Sequence, residues 1–273
     1  TKSKNTNLDV SSSAIARLNS LGFNLKQTDI PSFMEFSPQG VSPALHRRTR
    51  SHRASSKTDH TALVLWQTAV LKRAEAKILA TQFDPKRLTL ESIRRLAILS
   101  SQQRGPVKAI ESLREKGVAT IVLPSLPGTF LDGAVMLNSR EQPIIGLTLR
   151  HDRIDSFWFT LLHEVAHIHL HYDKLRKERS TFVDDIEIKS EDFHEKEADY
   201  LARVSLIPDS ILSSIQWDEH STLDDVTAVA SRARIHKAVV AGRWQRDHQN
   251  YRKFSRLIER NTLMPMLTRR NVK

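Results

Sequence analysis

The sequence predicts an α+β fold in which a small twisted sheet packs on one long apolar helix, with more helices flanking it. Three observations carry this reading. Apolar residues recur at helical spacing from Thr61 to Leu113. Runs rich in β-branched residues follow between residues 118 and 149, separated by turn residues. Then comes Phe157 to His171, apolar on nearly every side and so suited to burial, yet carrying His163, Glu164 and His167.

Taken in order, residues 1–12 read as a loose polar arm, and Ser12 to Gly22 as a short helix with a Ser cap and a Gly stop. Phe33, Met34 and Phe36 begin a second, small apolar contact before Pro38, Gly40 and Pro43 break any long element. The basic run His46 to Arg53 reads as a solvated linker, and no helix-turn-helix is recognisable. The first helix of the main body has Leu63, Leu65, Trp66, Ala69, Val70, Ala74 and Ile78 at helical spacing, with Trp66 a core residue. A second runs from Leu88 to Leu99, and a third from Pro106 to Lys116, stopped by Gly117. Val118 to Leu123 is a strand; Asp132 to Leu137 and Pro143 to Leu149 form a hairpin around Asn138–Gln142. After the long helix, Tyr172 to Glu191 reads as a charged surface segment. Ser221 to Val226 opens a capped helix, and Asn250 to Ile258 is expected to be a further basic helix. The chain thus divides into an arm (1–58), a helical region (59–116), a core (117–212) and a basic C-terminal helical region (213–273).

Chemistry concentrates in the core. Positions i and i+4 of a helix share a face, so His163 and His167 can chelate one metal ion. Glu164 follows the first ligand and can take a proton from water at that metal, the arrangement of a zinc hydrolase. Burial without ligation would leave these groups costly. Tetrahedral zinc needs a third ligand. Glu195 and Asp199 form another i, i+4 pair; Glu195, ahead of Glu197, is the expected ligand. Asp199 is expected to accept a hydrogen bond from the outer nitrogen of a ligand His. An oxyanion donor is also needed; Tyr172, His171, His194 and Tyr200 are the candidates, and the sequence does not choose among them.

Two further motifs follow this pattern, Asp152-Arg153-x-Asp155-x-Phe157-Trp158-Phe159 before it and Leu206-Ile207-Pro208 after it. Together with His163-Glu164-x-x-His167 and Glu195 to Ala202, they resemble the ImmA/IrrE family of zinc metallopeptidases. The Asp152 to Phe159 segment resembles the branch that forms the C-terminal part of HigA-like antitoxin regulators. The resemblance spans residues 60 to 250, most specifically 132 to 208. It implies a zincin-like fold, bound Zn2+ and a substrate added as a strand along a sheet edge. It also implies a protein substrate: a helix-turn-helix repressor or a toxin–antitoxin partner. The alternative it leaves is an antitoxin-like or DNA-linked regulator using the fold as a scaffold. Intact Glu164 favours the peptidase.

Composition bounds the rest. Cysteine is absent, which excludes disulfides and thiolate zinc sites and suits a cytoplasmic location. No apolar run approaches the ~20 residues of a membrane span. No signal-peptide pattern opens the sequence, whose initial Thr1 reads as that of a trimmed chain. The formal net charge is +11. From Ser231 onward there are twelve Lys and Arg against Asp247 and Glu259, a balance that suits nucleic acid or an acidic partner.

Overall fold

The computed structural model describes residues 11–35, 46–48, 59–76, 79, 81–178 and 188–268. Helix α1 (Ser12–Ser20) starts at Ser11, whose hydroxyl accepts from the Ala14 amide. Helix α2 (Ile30–Glu35) follows, with Phe33 buried edge-on against Phe23. Strand β1 (His46–Arg48) stands where a linker was expected. Helix α3 (His60–Glu75) is capped by Asp59 and α4 (Leu90–Ile98) by Thr89. Helix α5 (Gly105–Glu115) ends at Gly117, whose φ of +82° favours glycine. A Cβ there would also lie 2.5 Å from the Phe83 nitrogen.

Strands β2 (Ala119–Val122), β3 (Leu131–Leu137) and β4 (Pro143–Leu147) form the centre of the molecule. The sheet order is β1-β3-β4-β2. β3 and β4 form the antiparallel hairpin, closed by the Asn138 side chain, which accepts from the amides of Arg140 and Gln142. β2 runs parallel to β4, and β1 pairs antiparallel with the outer edge of β3, Arg47 opposite Gly133.

Helix α6 (Ile154–Glu178) crosses one face of this sheet. It runs past His171 to Glu178, so the charged segment expected from Tyr172 is helical at its start. Helix α7 (Ile188–Leu206) lies along α6; residues 179–187 are outside the described ones. Short α8 (Asp209–Leu212), then α9 (Leu223–Ala233), α10 (Lys237–Asp247) and α11 (Leu263–Thr268) complete the chain. Thr222 and Asp225 cap α9 reciprocally. The basic helix expected over Asn250–Ile258 does not form. Gln249 and Phe254 take left-handed φ of 52° and 60°, and the Asn250 side chain accepts from the amides of Arg252 and Lys253. That local bond offers the backbone a turn in place of a helix.

Strand alternation assigns the two sheet faces. Val135, Leu137, Ile145 and Leu147 join a core with Phe157, Trp158, Leu161 and Val165 of α6. Ala134, Met136 and Ile144 join a second core with Trp66 and Val70 of α3. Trp66 donates its indole N–H to the Leu123 carbonyl at 3.0 Å, so its burial leaves no orphan donor. Each such large apolar side chain contributes about 1.5–3 kcal/mol. Sheet and helices therefore form the zincin-like α+β arrangement, with α6 held between the sheet and α7.

The start of α6 is fixed by the C-terminal segment. The Asp152 carboxylate accepts from the amides of Leu263 and Met264 at 2.9 and 3.4 Å, and its carbonyl accepts from Asn261 at 2.8 Å. Arg153 donates twice to Asp155, at 2.9 and 2.7 Å. Arg94 of α4 donates to the carbonyls of Ser205, Leu206 and Ala233, tying the ends of α7 and α9 together. Three cations of the basic region also serve the fold. Arg243 pairs with Asp247, Arg246 lies over the Phe159 ring, and Lys253 lies over Trp244. Among the described residues no helix is long and apolar enough to cross a membrane.

Candidate metal centre

His163 and His167 lie one turn apart on α6, both fully buried, and Glu195 faces them from α7. The two Nε2 atoms are 2.9 Å apart. Glu195 places Oε2 3.3 Å from His163 Nε2 and Oε1 3.2 Å from His167 Nε2. Two ring nitrogens and a carboxylate thus converge on one point. Zinc–nitrogen and zinc–oxygen bonds of 2.0–2.1 Å at tetrahedral angles set ligand atoms ~3.3 Å apart, and the three spacings fit that size. Glu197, the other acid weighed for this position, lies with His171 and His194 instead.

Asp199 sits behind His163. Its Oδ1 is 2.8 Å from His163 Nδ1. A carboxylate can only accept, so the His163 proton is held on Nδ1 and the Nε2 lone pair is left facing the centre. Asp199 is half exposed, and Glu195 is 27% exposed while both histidines are sealed. Solvent therefore reaches the centre from the α7 side.

Burial holds His167 down at about 4, partly offset by its hydrogen bond to Glu195. Burial would raise the Glu195 carboxyl, but hydrogen bonds and charge from His163 and His167 outweigh it and hold it at about 2. Both shifts favour the ligand forms, neutral imidazole and carboxylate, at neutral pH. The His167 shift has a consequence for metal-free protein. Unfolded His167 takes up a proton near its ordinary value of 6.5, folded His167 only near 4. The unfolded state binds more protons between these values, so stability falls as pH falls from about 6.5 to 4, by about 3 kcal/mol. Urea unfolding of chelator-treated protein at several pH values, beside His167→Gln, measures this. Equal pH dependence in both proteins would refute the assignment.

Glu164 projects to the sheet. It is fully buried against β3, and the space it occupies exists because residue 133 is glycine. A Cβ at Gly133 would stand 2.6 Å from Glu164 Oε1 and 2.7 Å from Thr160 Cγ2. Gly133→Ala is accordingly expected to displace the Glu164 carboxylate while leaving the three converging ligand atoms alone. Metal content unchanged beside a loss of at least about tenfold in any reaction that uses the carboxylate is the predicted pair of results, since ångström-scale misplacement of a reacting group costs up to ~100-fold. Full activity in Gly133→Ala would show that the close approach has no part in the chemistry. Neither Gly133 nor Thr160 stands out in the metal-binding pattern; the available signal was a glycine interrupting an otherwise apolar strand.

The four suggested oxyanion donors lie in different places. The Tyr172 hydroxyl donates to the Glu141 carbonyl at 3.0 Å, and its ring packs on Phe83. Burial raises its pKa, and the hydroxyl is held at the hairpin loop. Tyr200 is 60% exposed on α7. His171 and His194 pack on each other, ring centroids 4.5 Å apart, one turn beyond His167 along α6. The structure gathers His163, His167, Glu195 and Asp199, and leaves these four outside that hydrogen-bonded group.

A small, partly open cleft lies between the end of β4 and the start of α6, lined by Asp132, Arg150, His151 and Thr160 among others. Thr160 is shared between this cleft and the wall around Glu164.

Residues 128–245 match the model of a peptidase family whose description is the IrrE N-terminal-like domain. No curated protein and no solved structure matches the chain.

Proposed function

We propose that the chain is a zinc-dependent endopeptidase that cleaves a specific regulatory protein, a reading supported by the match of residues 128–245 to the model of the IrrE N-terminal-like domain. The observation that carries the reading is the convergence of His163 Nε2, His167 Nε2 and the Glu195 carboxylate within hydrogen-bonding distance, with Glu164 next to the first ligand. Bound there, zinc supplies a Lewis acid that acidifies water and polarises a carbonyl. His163, His167 and Glu195 hold it, and Asp199 keeps His163 in the ligating tautomer. Glu164 takes the proton from the attacking water and returns it to the leaving amine. Its burial under β3 keeps the carboxylate away from bulk solvent, and Gly133 lets the strand come close enough to wall it in.

The substrate lies along an outer edge of the sheet in this reading, since β3 is paired with β1 on one side and β4 on the other. Main-chain pairing there gives affinity, and side-chain pockets give selectivity. The cleft bordered by Thr160 offers one such pocket, with Arg150 and Asp132 to meet polar side chains. Such an extended site suits one defined protein, a helix-turn-helix repressor or a toxin–antitoxin partner, better than general digestion.

The test is labelling of new protein N-termini in host-cell extract incubated with the zinc-loaded chain. Cuts should concentrate in one or a few regulators, require the metal, and vanish in a chelator. No cut above that of the Glu164→Gln variant would replace the peptidase by a regulatory binding protein built on the same scaffold. Nucleic-acid binding through the C-terminal region would then rest on Arg252, Arg256 and Arg260, which are exposed.

A further inference from the structure

One turn beyond His167, the seam between α6 and α7 carries a second group of ligating side chains, His171, His194 and Glu197. Each offers one ligand atom, and these atoms lie within 4.8 Å of one another. His171 is buried at 5% exposure, while His194 and Glu197 are half-buried. The His171 Nε2 atom lies 4.0 Å from Glu197 Oε2. The two imidazoles sit 4.5 Å apart, edge to face. We propose that His171, His194 and Glu197 form a second metal site, for a divalent transition-metal ion, separate from that of His163, His167 and Glu195.

The donor set is the first argument. Two imidazoles and one carboxylate suit zinc and its neighbours in the first transition row, whereas calcium and magnesium prefer oxygen alone. The second argument is that one of the three side chains already receives a cation. The Lys174 ammonium lies 3.2 Å from His194 Nδ1. Lysine has no acceptor, so the ammonium donates and the imidazole lone pair receives it. A divalent ion shared by the three side chains takes that lone pair from Lys174, whose long side chain swings outward. The remaining adjustment is small. His171 Nε2 is 3.4 Å from the His194 carbonyl, a contact in which the ring donates. Moving that proton to Nδ1 frees Nε2 for the ion. Closing separations of at most 4.8 Å to the ~3.3 Å of a coordinated pair needs movements of about 1.5 Å or less.

The two sites share no ligand, but they share helices. His171 is on the same α6 face as His163 and His167, and His194 and Glu197 flank Glu195 on α7. An ion at the second site therefore fastens the start of α7 to α6 next to Glu195. Its greater exposure makes it the weaker, faster-exchanging site of the two.

Metal counting on chelator-stripped protein, dialysed against excess zinc and checked for folding by circular dichroism, tests this. The wild type should bind about two ions per chain. His194→Ala with Glu197→Gln, both half-exposed positions, should bind about one. His163→Ala with His167→Ala should also retain about one, and the combined variant none. His194→Gln alone, which keeps bulk, should weaken the second ion without unfolding the chain. A wild type that saturates at one ion, lost with His163 and His167, would overturn the second site and leave the first standing. One ion lost only with His194 and Glu197 would support the second site and remove the first. Two ions retained without His194 and Glu197 would overturn the assignment of residues.

Discussion

Glu164→Gln is expected to abolish hydrolysis and leave both the fold and the bound ion in place. The side chains have one shape, so the packing beneath Gly133 and beside Thr160 is kept. Glutamine can hold a water through its amide but cannot take its proton. The loss is that of a general base, typically ~100- to 10,000-fold. It should appear in kcat and kcat/KM together, because the interaction is made in the transition state rather than with bound substrate. Metal content should not change, because the Glu164 carboxylate lies against β3, while the three proposed ligands converge between α6 and α7. The measurement is metal content beside the rate of cleavage of whichever regulator the N-terminal labelling identifies. A variant that keeps its full biological effect would move the function from catalysis to binding. A variant that loses its zinc would instead show that Glu164 helps to hold the ion.

Much of this site is written in local spacing. His163 with His167 and Glu195 with Asp199 are each i, i+4 pairs, and helical geometry alone puts the members of each pair on one face. That the two pairs meet depends on α7 lying along α6, which the apolar Ala198 and Ala202 at its buried face help to signal. The division of labour between Glu195 and Glu197 is set by helix rotation, and two residues of offset turn a side chain by about half a circle. The oxyanion candidates could not be sorted the same way. Tyr172 lies on the metal helix itself, five residues beyond His167, yet its direction is decided by Phe83 and the Glu141 carbonyl, both far away along the chain. The sheet is legible from its β-branched runs, except for β1. His46 to Arg48 has no strand composition, and its place comes from pairing with β3. The helix expected over Asn250–Ile258 shows the opposite error: its composition permits a helix, but the Asn250 side chain and two left-handed residues make turns.

Removal of the ligands one by one should give a graded loss of metal, and the order of that loss tests the geometry. His163→Ala with His167→Ala deletes both nitrogens, and the tightly held ion, the one that survives dialysis against a weak chelator, should disappear altogether. Glu195→Gln leaves both imidazoles but exchanges an anionic oxygen donor for a neutral amide. Affinity should fall by more than ~100-fold, since the ion loses a ligand and its charge compensation. Asp199→Ala leaves all three ligands and frees only the His163 ring and its proton. Such a change behind a ligand typically costs ~10–100-fold. Asp199 is half exposed, so little packing is lost with it, whereas the two buried histidines leave cavities. Folding must therefore be followed separately for the double variant. Metal-dependent stabilisation supplies the second readout: an ion bound only to the folded chain adds RT ln(1 + [L]/Kd), so the melting temperature in excess zinc should fall in the same order as affinity. An Asp199→Ala variant as depleted as Glu195→Gln would mean that Asp199 contacts the ion directly. A double histidine variant that keeps the chelator-resistant ion would remove the centre from α6 altogether.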